Sequence, residues 1–189
     1  MFITVTGGSG SGKSGRAEEI AMKLASSCKE NTDGHFTQEK SRLIYLASMD
    51  PSGPEAEARI RRHRLLREGK GFITIEKKNC LTELDPAQLS GGTVLLEDLS
   101  NLVSNEMFTS GGSSIPEEET ASLVLKDTDF LLQAAENLIV VMNEIFSDGL
   151  AYSSETESFL RVLGRLNGEL AKRADRSYEV VYGIPVRLK

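Results

Sequence analysis

An eight-residue glycine-rich motif near the start of the chain constrains the fold more than any other feature of the sequence. It consists of Gly7, Gly8, Ser9, Gly10, Ser11, Gly12, Lys13 and Ser14, and it fits G-x-x-x-x-G-K-[S/T]. The apolar run Phe2–Thr6 precedes it, and it opens the helix-compatible segment Gly12–Ser27. In this context the backbone N–H groups and the helix N-terminus face a polyphosphate. The motif therefore predicts a P-loop α/β protein that binds a purine nucleoside triphosphate.

The phosphate loop also predicts a metal site. Lys13 is expected to reach the outer phosphates, and Ser14 is expected to ligate Mg²⁺. Glu97 and Asp98 follow the apolar run Thr93–Leu96 and supply candidate carboxylates. We assign Glu97 to the nucleotide or the metal and Asp98 to the N-cap of the next helix. The loop alone does not identify the reaction, because kinases, NTPases and other transferases share it.

Short β-rich runs and helix-compatible segments alternate along the rest of the sequence. The runs are Phe2–Thr6, Leu43–Ala47, Phe72–Ile75, Thr93–Leu96, Leu138–Met142 and Tyr178–Tyr182. The helical segments are Gly12–Ser27, Pro54–Glu68, Leu99–Phe108, Glu117–Glu136 and Ser154–Ala174. This alternation predicts a mostly parallel sheet covered by helices in a P-loop NTPase-like fold. With 189 residues and 39% hydrophobic content, we expect a single domain over residues 1–189 and loops at Lys29–Lys40 and Thr109–Pro116.

Composition excludes several classes of protein. The formal net charge is -6, whereas a protein that neutralises many nucleic-acid phosphates carries a basic surplus, so we expect no nucleic-acid partner. No window has the apolar length needed to cross a bilayer, and no leader pattern opens the chain. We therefore expect a cytoplasmic protein without a membrane span. Cys28 and Cys80 lack metal-ligand spacing and are expected to be reduced thiols.

A basic segment, Arg59–Lys70, carries a histidine among six cations and one acid. If it is helical, Arg59, His63 and Arg67 share a face, which places an imidazole between two guanidinium groups. Such cations bind phosphate and lower the histidine pKa, so that a neutral ring nitrogen can attack an α-phosphorus, release pyrophosphate and form a nucleotidyl-histidine. A solvated basic helix with an incidental histidine explains the residue pattern equally well. The other histidine, His35, is expected to be structural or exposed.

Several segments together resemble the bifunctional adenosylcobinamide kinase/adenosylcobinamide-phosphate guanylyltransferase family of cobalamin biosynthesis. The resemblance runs nearly the length of the chain, and the arginine-histidine helix is its most discriminating part. The segments are TGGSGSGKS after the first strand, Tyr45-Leu46-Ala47-Ser48, the helix with Glu55, Ala58-Arg59-Ile60, His63 and Arg67, Thr74-x-Glu76, Leu95-Leu96-Glu97 followed by Asn105, Asn143-Glu144, Gly164-x-x-Asn167, Gly183-Ile184-Pro185 and Leu188-Lys189.

The resemblance implies two reactions that use nucleoside triphosphates. The aminopropanol hydroxyl of the corrinoid adenosylcobinamide is phosphorylated with ATP or GTP, and GMP is then transferred from GTP to give adenosylcobinamide-GDP. By resemblance, His63 becomes guanylylated, and the protein is a homotrimer. The residues implied around the guanine nucleotide are Ala47, Ser48, Met49, Arg64, Leu65, Leu66, Arg67, Glu76 and Glu97.

The sequence departs from the family pattern mainly in its C-terminal third. The segment Asn143–Tyr152 lacks the first glycine and the proline of N-E-V-G-x-G-I-V-P and is one residue longer. In the F-R-D-x-x-G-x-x-N pattern, Leu160 replaces the arginine and Arg161 replaces the aspartate, and Gly10 stands in the loop where arginine is common. Two alternatives therefore stay open: a single-activity P-loop small-molecule kinase, and a diverged, non-catalytic GTP-binding relative.

Overall fold

A computed structural model describes residues 1–26, 29–30, 36–37, 41–51, 53–108, 114–146 and 149–189, and for residues 29, 30, 36, 37, 55, 56 and 59 it describes the backbone alone. The expectations for Cys28 and His35 lie outside the described residues. So do most of the predicted loop 29–40, the greater part of the predicted loop 109–116, and the side chain of Arg59.

Strands and helices alternate along the described chain. The strands are β1 (Phe2–Gly7), β2 (Lys29–Glu30), β3 (Phe36–Thr37), β4 (Arg42–Ala47), β5 (Ile73–Glu76), β6 (Gly92–Glu97), β7 (Asn137–Asn143), β8 (Arg176–Val181) and β9 (Ile184–Arg187). The helices are α1 (Lys13–Ala25), α2 (Pro54–Arg67), α3 (Leu99–Met107), α4 (Glu117–Ala134) and α5 (Ser154–Arg173), with 3₁₀ turns at Leu81–Glu83 and Pro86–Gln88. Every predicted strand and helix is confirmed, with ends shifted by no more than two residues.

Seven of the strands form one sheet in the order β5-β4-β6-β7-β1-β8-β9. Neighbours pair in parallel except β8 and β9, which are antiparallel. The predicted mostly parallel α/β fold is therefore confirmed. Three strands were not predicted: the hairpin partner β9, and the short antiparallel pair β2 and β3, which lies within the predicted loop Lys29–Lys40. Because β1, β4, β6 and β7 run in the same direction, the segments that follow them meet at one edge of the sheet, where α/β proteins bind ligands.

Helices cover both faces of this sheet. On one face, α1 contributes Ala17, Ala21 and Ala25, which recur every four residues, are at most 3% exposed and pack against β1, β4, β6 and β7. On the other face, α3, α4 and α5 bury leucines such as Leu102 and Leu166 against alternate residues of the same strands. This alternation follows from the two-residue period of a strand. No helix in the described ranges is both long and apolar enough to cross a membrane.

A buried pair of acidic side chains joins α3, α4 and the first 3₁₀ turn. Glu106 and Asp127 are 5% and 3% exposed, and their carboxyl groups lie close enough to interact electrostatically. Glu106 Oε1 accepts from the backbone N–H of Cys80 at 2.6 Å, and Asp127 Oδ1 accepts from that of Thr82 at 3.0 Å. Burial, together with Glu106, raises the pKa of Asp127 above its usual range. The two carboxyl groups therefore satisfy backbone donors that the short turn leaves unpaired.

Ion pairs connect the outer surfaces of α4 and α5. Arg161 pairs with Glu117 at 2.8 Å, Arg165 with Glu118 at 2.6 Å, and Arg173 with Asp129. Arg161 stands where the family pattern has an aspartate, and its partner here is an acid on α4. The altered position thus takes part in an ion pair between two helices.

Candidate active site

The phosphate loop lies between β1 and α1, as the motif predicts. Gly12 has φ of 90°, which favours glycine, and a Cβ there would lie 3.3 Å from Cα of Gly183. Two hydrogen bonds support the loop from outside: Gly183 N–H donates to Ser11 O at 2.8 Å, and Glu144 N–H donates to Gly7 O at 3.0 Å. The segments after β7 and β8 therefore hold the loop in place.

Lys13 begins α1 and folds back over the loop. Its side chain is buried, and Nζ donates to the carbonyl of Gly8 at 3.1 Å. Burial lowers the pKa of Lys13, while the nearby carboxylates of Asp98 and Glu97 raise it. The ammonium group is thus already positioned at the mouth of the loop, where the outer phosphates of a triphosphate would lie.

Glu97 lies directly beside the loop serine. Ser14 Oγ donates to Oε1 of Glu97, which is 5% exposed. Burial raises the pKa of Glu97 to about 7, and the hydrogen bond from Ser14 opposes that shift. Asp98 caps α3, because its Oδ1 accepts from the N–H of Asn101 at 2.9 Å, which confirms the predicted cap.

The Ser14–Glu97 pair fits the requirements of Mg²⁺. Oε2 of Glu97 is buried and has no hydrogen-bond partner among the described residues. Within that part of the chain, no cluster of three or more His, Cys, Asp or Glu side chains could hold a metal ion by itself. Mg²⁺ commonly takes one or two protein oxygens and completes its shell with phosphate and water oxygens. A hydroxyl and a carboxylate in contact therefore suit a metal that arrives with the triphosphate.

His63 shares this site. It lies on α2, its ring is about one quarter exposed, and its Nδ1 is 3.9 Å from Oε1 of Glu97, the oxygen that accepts from Ser14. The hydroxyl of Tyr45 on β4 lies 3.5 Å from the same ring nitrogen. The imidazole and the phosphate loop thus border one cleft.

The basic helix is solvated on its outer side only. The side chains of Arg61 and Arg64 are 64% and 57% exposed, as a solvated helix predicts. Arg67 is 7% exposed, and its Cζ lies 3.3 Å above the centroid of the Tyr45 ring. Arg67 is therefore held by a cation–π contact on β4. Whether Arg59 flanks His63 on the other side stays a prediction, since that side chain lies outside the described atoms.

The cleft has a volume of about 590 Å³. It is bordered by Lys13, Ser14, Met49, His63, Leu66 and Glu97, all of which were singled out from the sequence. Sequence reasoning missed the roles of Glu18, Arg62, Lys70, Asn143 and Ile145, which line the same cleft. Asn143 and Ile145 were detectable in principle, because they follow a strand expected to end at the same edge as β1.

The residues implied around a guanine nucleotide divide into four groups, of which the first is Leu66 in the phosphate cleft. Ala47, Met49, Arg64, Arg67, Glu76 and Glu97 line a narrow apolar cavity that His63 also borders. Ser48 is fully buried, and its hydroxyl donates to the backbone carbonyls of Glu97 and Asp98 at 3.1 and 2.9 Å. Leu65 is 69% exposed and borders an open depression beside α2. The structure thus gathers most of the set and places Ser48 in a supporting position.

Comparison with known proteins identifies one family. Its model, described as cobinamide kinase / cobinamide phosphate guanyltransferase, matches residues 3–188. The bifunctional adenosylcobalamin biosynthesis protein CobU of Escherichia coli (strain K12) is 29% identical over 198 residues, and its counterpart in Salmonella typhimurium (strain LT2) is 28% identical. Both alignments cover 100% of this chain and 100% of the relative.

Solved structures give weaker matches. The P4 protein of bacteriophage phi6 in complex with ADP has a TM-score of 0.47 and 11% identity. The match covers 97% of this chain and 52% of the P4 chain. A second solved structure, an ATPase domain, has a TM-score of 0.46 and 14% identity, with 94% and 68% coverage. The fold assignment rests instead on the strand order and the phosphate loop described above. Because the family model spans almost every residue, the chain belongs to the cobinamide kinase / cobinamide phosphate guanyltransferase family and is a transferase of adenosylcobalamin biosynthesis.

Proposed function

We propose that this chain carries out both family reactions in one cleft. It phosphorylates the aminopropanol hydroxyl of adenosylcobinamide with ATP or GTP, and it then transfers GMP from GTP to that phosphate through a guanylyl group on His63. The observation that carries the proposal is the 3.9 Å separation between His63 Nδ1 and the Glu97 oxygen that Ser14 contacts. That separation brings a nucleophile within reach of a triphosphate bound to the loop.

In the phosphoryl transfer, the chain positions the triphosphate and neutralises its charge. The loop N–H groups hold the phosphate oxygens, and Lys13 stabilises negative charge on the transferring phosphoryl group. Ser14 and Glu97 would hold Mg²⁺, which neutralises phosphate charge when it is bound. The acceptor hydroxyl then attacks the γ-phosphorus and releases its proton to solvent, while the bond to the leaving nucleoside diphosphate breaks.

In the guanylyl transfer, Glu97 and Tyr45 orient the imidazole. Tyr45 Oη and Glu97 Oε1 lie 3.5 and 3.9 Å from Nδ1 of His63, so they favour a neutral ring that has its proton on Nδ1 and presents the lone pair of Nε2. Nε2 attacks the α-phosphorus of GTP, and pyrophosphate leaves. The phosphate of the acceptor then attacks the guanylyl phosphorus, which releases His63 and forms adenosylcobinamide-GDP.

We further propose that the protein acts in the cytoplasm as a homotrimer and binds no nucleic acid. The family resemblance supports the trimer, and the net charge of -6 argues against a nucleic-acid partner. Light scattering on the purified protein tests the trimer, and a monomer at micromolar concentration would contradict it.

Labelling with GTP that carries a radioactive α-phosphate tests the covalent step. We expect one acid-labile, base-stable label per chain, as a phosphoramidate requires, and we expect His63→Ala to lose it. His35→Ala is the matched control, since His35 is the other histidine of the sequence, and it should keep the label. A label that survives in His63→Ala would rule out the guanylyl-histidine. Cobinamide phosphorylation without any label would indicate the single-activity kinase, and GTP binding without turnover would indicate a non-catalytic relative.

A further inference from the structure

A second cavity adjoins the phosphate cleft on the side of α5. We call it the flank cavity; its volume is about 280 Å³. Its apolar lining consists of Ile145, Phe146, Leu150, Tyr152 and Leu160. Ile145 lines the phosphate cleft as well. The two cavities therefore share a wall, and a ligand with one end at the phosphates can extend into the flank cavity.

The shared wall is held firmly against the phosphate loop. Glu144 N–H donates to Gly7 O at 3.0 Å, and Asn143 O accepts from Nδ2 of Asn167 on α5 at 3.1 Å. The Phe146 ring rests on α5 at Gly164, where a Cβ would lie 3.6 Å from the ring. Because β1 and α5 both contact residues 143–146, the wall that the two cavities share is fixed relative to the phosphate loop.

The lining combines an apolar floor with a charged rim. Phe146, Leu150 and Tyr152 are 41%, 67% and 37% exposed. At the rim, Arg161 lies 3.9 Å from Glu157 and pairs with Glu117 of α4. Large apolar side chains left in water beside a reaction site are typical of a ligand subsite. The ligand that fits here has an apolar face and hydrogen-bonding groups around its edge.

We propose that the flank cavity is the acceptor subsite and seats one edge of the corrin macrocycle. This inference rests on the proposed function. A corrin ring has broad apolar faces and amide-bearing side chains at its periphery, which match the apolar floor and the charged rim. The hydroxyl to be phosphorylated ends one of those side chains, which can reach past Ile145 to the triphosphate. The macrocycle is larger than the cavity, so only one edge of it can enter. The exposed parts of Leu150 and Tyr152 then contact the part of the macrocycle that stays outside.

The acceptor subsite also explains where this chain departs from its family. Leu160 replaces the arginine of the family pattern and lines the flank cavity, and the altered segment after Asn143 supplies Phe146, Leu150 and Tyr152. These departures extend the apolar lining while the phosphate loop keeps its motif. Most of the positions at which this chain departs from the family pattern therefore lie at the proposed acceptor subsite.

A double substitution, Leu150→Ser with Tyr152→Ser, tests the subsite in the full-length protein. We expect the KM for cobinamide to rise about tenfold or more, because each lost apolar ligand contact costs up to about a factor of ten in affinity. Self-labelling by GTP needs no acceptor and should keep its rate. Leu188→Ser is the matched control: Leu188 is 59% exposed and follows β9, and its loss should change neither quantity.

The outcomes separate this inference from the proposed function. If the wild-type protein neither labels itself nor phosphorylates cobinamide, the proposed function fails, and the acceptor subsite fails with it. If the wild-type protein does both and the double variant keeps its KM, the subsite alone is overturned. Equal losses of self-labelling and cobinamide turnover would indicate a structural role and would overturn it too. A change in the oligomeric state of the double variant, measured by light scattering, would also overturn the subsite, because it would assign this surface to a contact between copies of the chain.

Discussion

Lys13 and Glu97 form the charged centre of the cleft, and both are withdrawn from bulk water. Burial shifts their pKa values in opposite directions, downward for Lys13 and up to about 7 for Glu97. Each shift means that the charged form is costly until a partner of opposite charge arrives. A triphosphate with its metal supplies both partners at once. The buried charges therefore stabilise the bound triphosphate more than exposed charges would, because water screens them less.

Replacing Lys13 with alanine should cripple phosphoryl transfer. Removing a positioned charge that stabilises the transferring group typically lowers kcat by about 10²- to 10³-fold, and we expect a loss of that size. Steady-state kinetics with cobinamide and ATP measure it. Lys23→Ala, an exposed lysine on the same helix, should retain full activity. Unchanged turnover in Lys13→Ala would remove Lys13 from the mechanism.

Asp127 gives a prediction about pH and stability. Its pKa is raised in the folded chain, so the stabilisation from its bound proton is complete below the unfolded pKa of about 3.9 and is lost as the pH rises through the folded pKa. Asp127→Asn keeps an acceptor for Thr82 and donates to Glu106 without titrating. We expect it to raise the free energy of unfolding by roughly 1 kcal/mol at pH 8, with the gain shrinking toward pH 5.

Urea denaturation across this pH range measures the effect. Asp127→Ala is the control, because it leaves the buried Thr82 N–H without its acceptor and should destabilise the protein at every pH by about 1–3 kcal/mol. A gain in Asp127→Asn that did not depend on pH would contradict the assigned proton.

Among the elements, α5 shows which interactions hold a helix on this sheet. One face carries Leu163, Leu166 and Leu170, each at most 1% exposed. Another face carries the arginines that pair with α4. Exposed ion pairs contribute little because water and salt screen them, whereas buried leucines lose solvent contact fully. The packing face should therefore dominate the stability of α5.

Two neighbouring substitutions on α5 separate these contributions. Leu166→Ala should lower the free energy of unfolding by about 2–5 kcal/mol, since it leaves a cavity in the core. Arg165→Ala removes an exposed pair and should leave the melting temperature unchanged within error. Thermal and urea unfolding compare the two. A larger effect for Arg165→Ala would mean that the interhelical ion pairs, rather than packing, hold the helix.

The strands and helices show which features of the fold can be predicted from local sequence. Predicted strand and helix ends agree with the structure because apolar periodicity and the phosphate-loop motif are local signals. β9 was missed because it is a short edge strand that contains Pro185 and leaves Ile184 and Val186 largely exposed, so it lacks a buried pattern. The role of Tyr45 was missed for another reason: its contacts with His63 and Arg67 join a strand to a helix and leave no mark in local spacing.

At the scale of the whole molecule, the cleft is built from segments far apart in sequence. The parallel arrangement could be predicted, and with it the meeting of strand ends at one edge. The order of the strands could not be predicted, because pairings such as β1 with β7 and β8 depend on packing between residues far apart in sequence. From the sequence, the proximity of His63 to the phosphate loop was therefore only a hypothesis, based on the chemistry of the two motifs. The distance between His63 and Glu97 follows from the tertiary structure.

The interior position of β1 in the sheet has a consequence for synthesis on the ribosome. Its hydrogen-bonding neighbours are β7 and β8, so a nascent chain that has not reached Asn137–Asn143 leaves both edges of β1 unpaired. Such long-range pairing is slow and leaves apolar strands open to aggregation, which favours chaperone protection until late in translation. The phosphate loop directly follows β1, so its place in the sheet is completed only after β7 and β8 have been translated. Nucleotide should therefore bind only chains that have been translated through β8 and have folded.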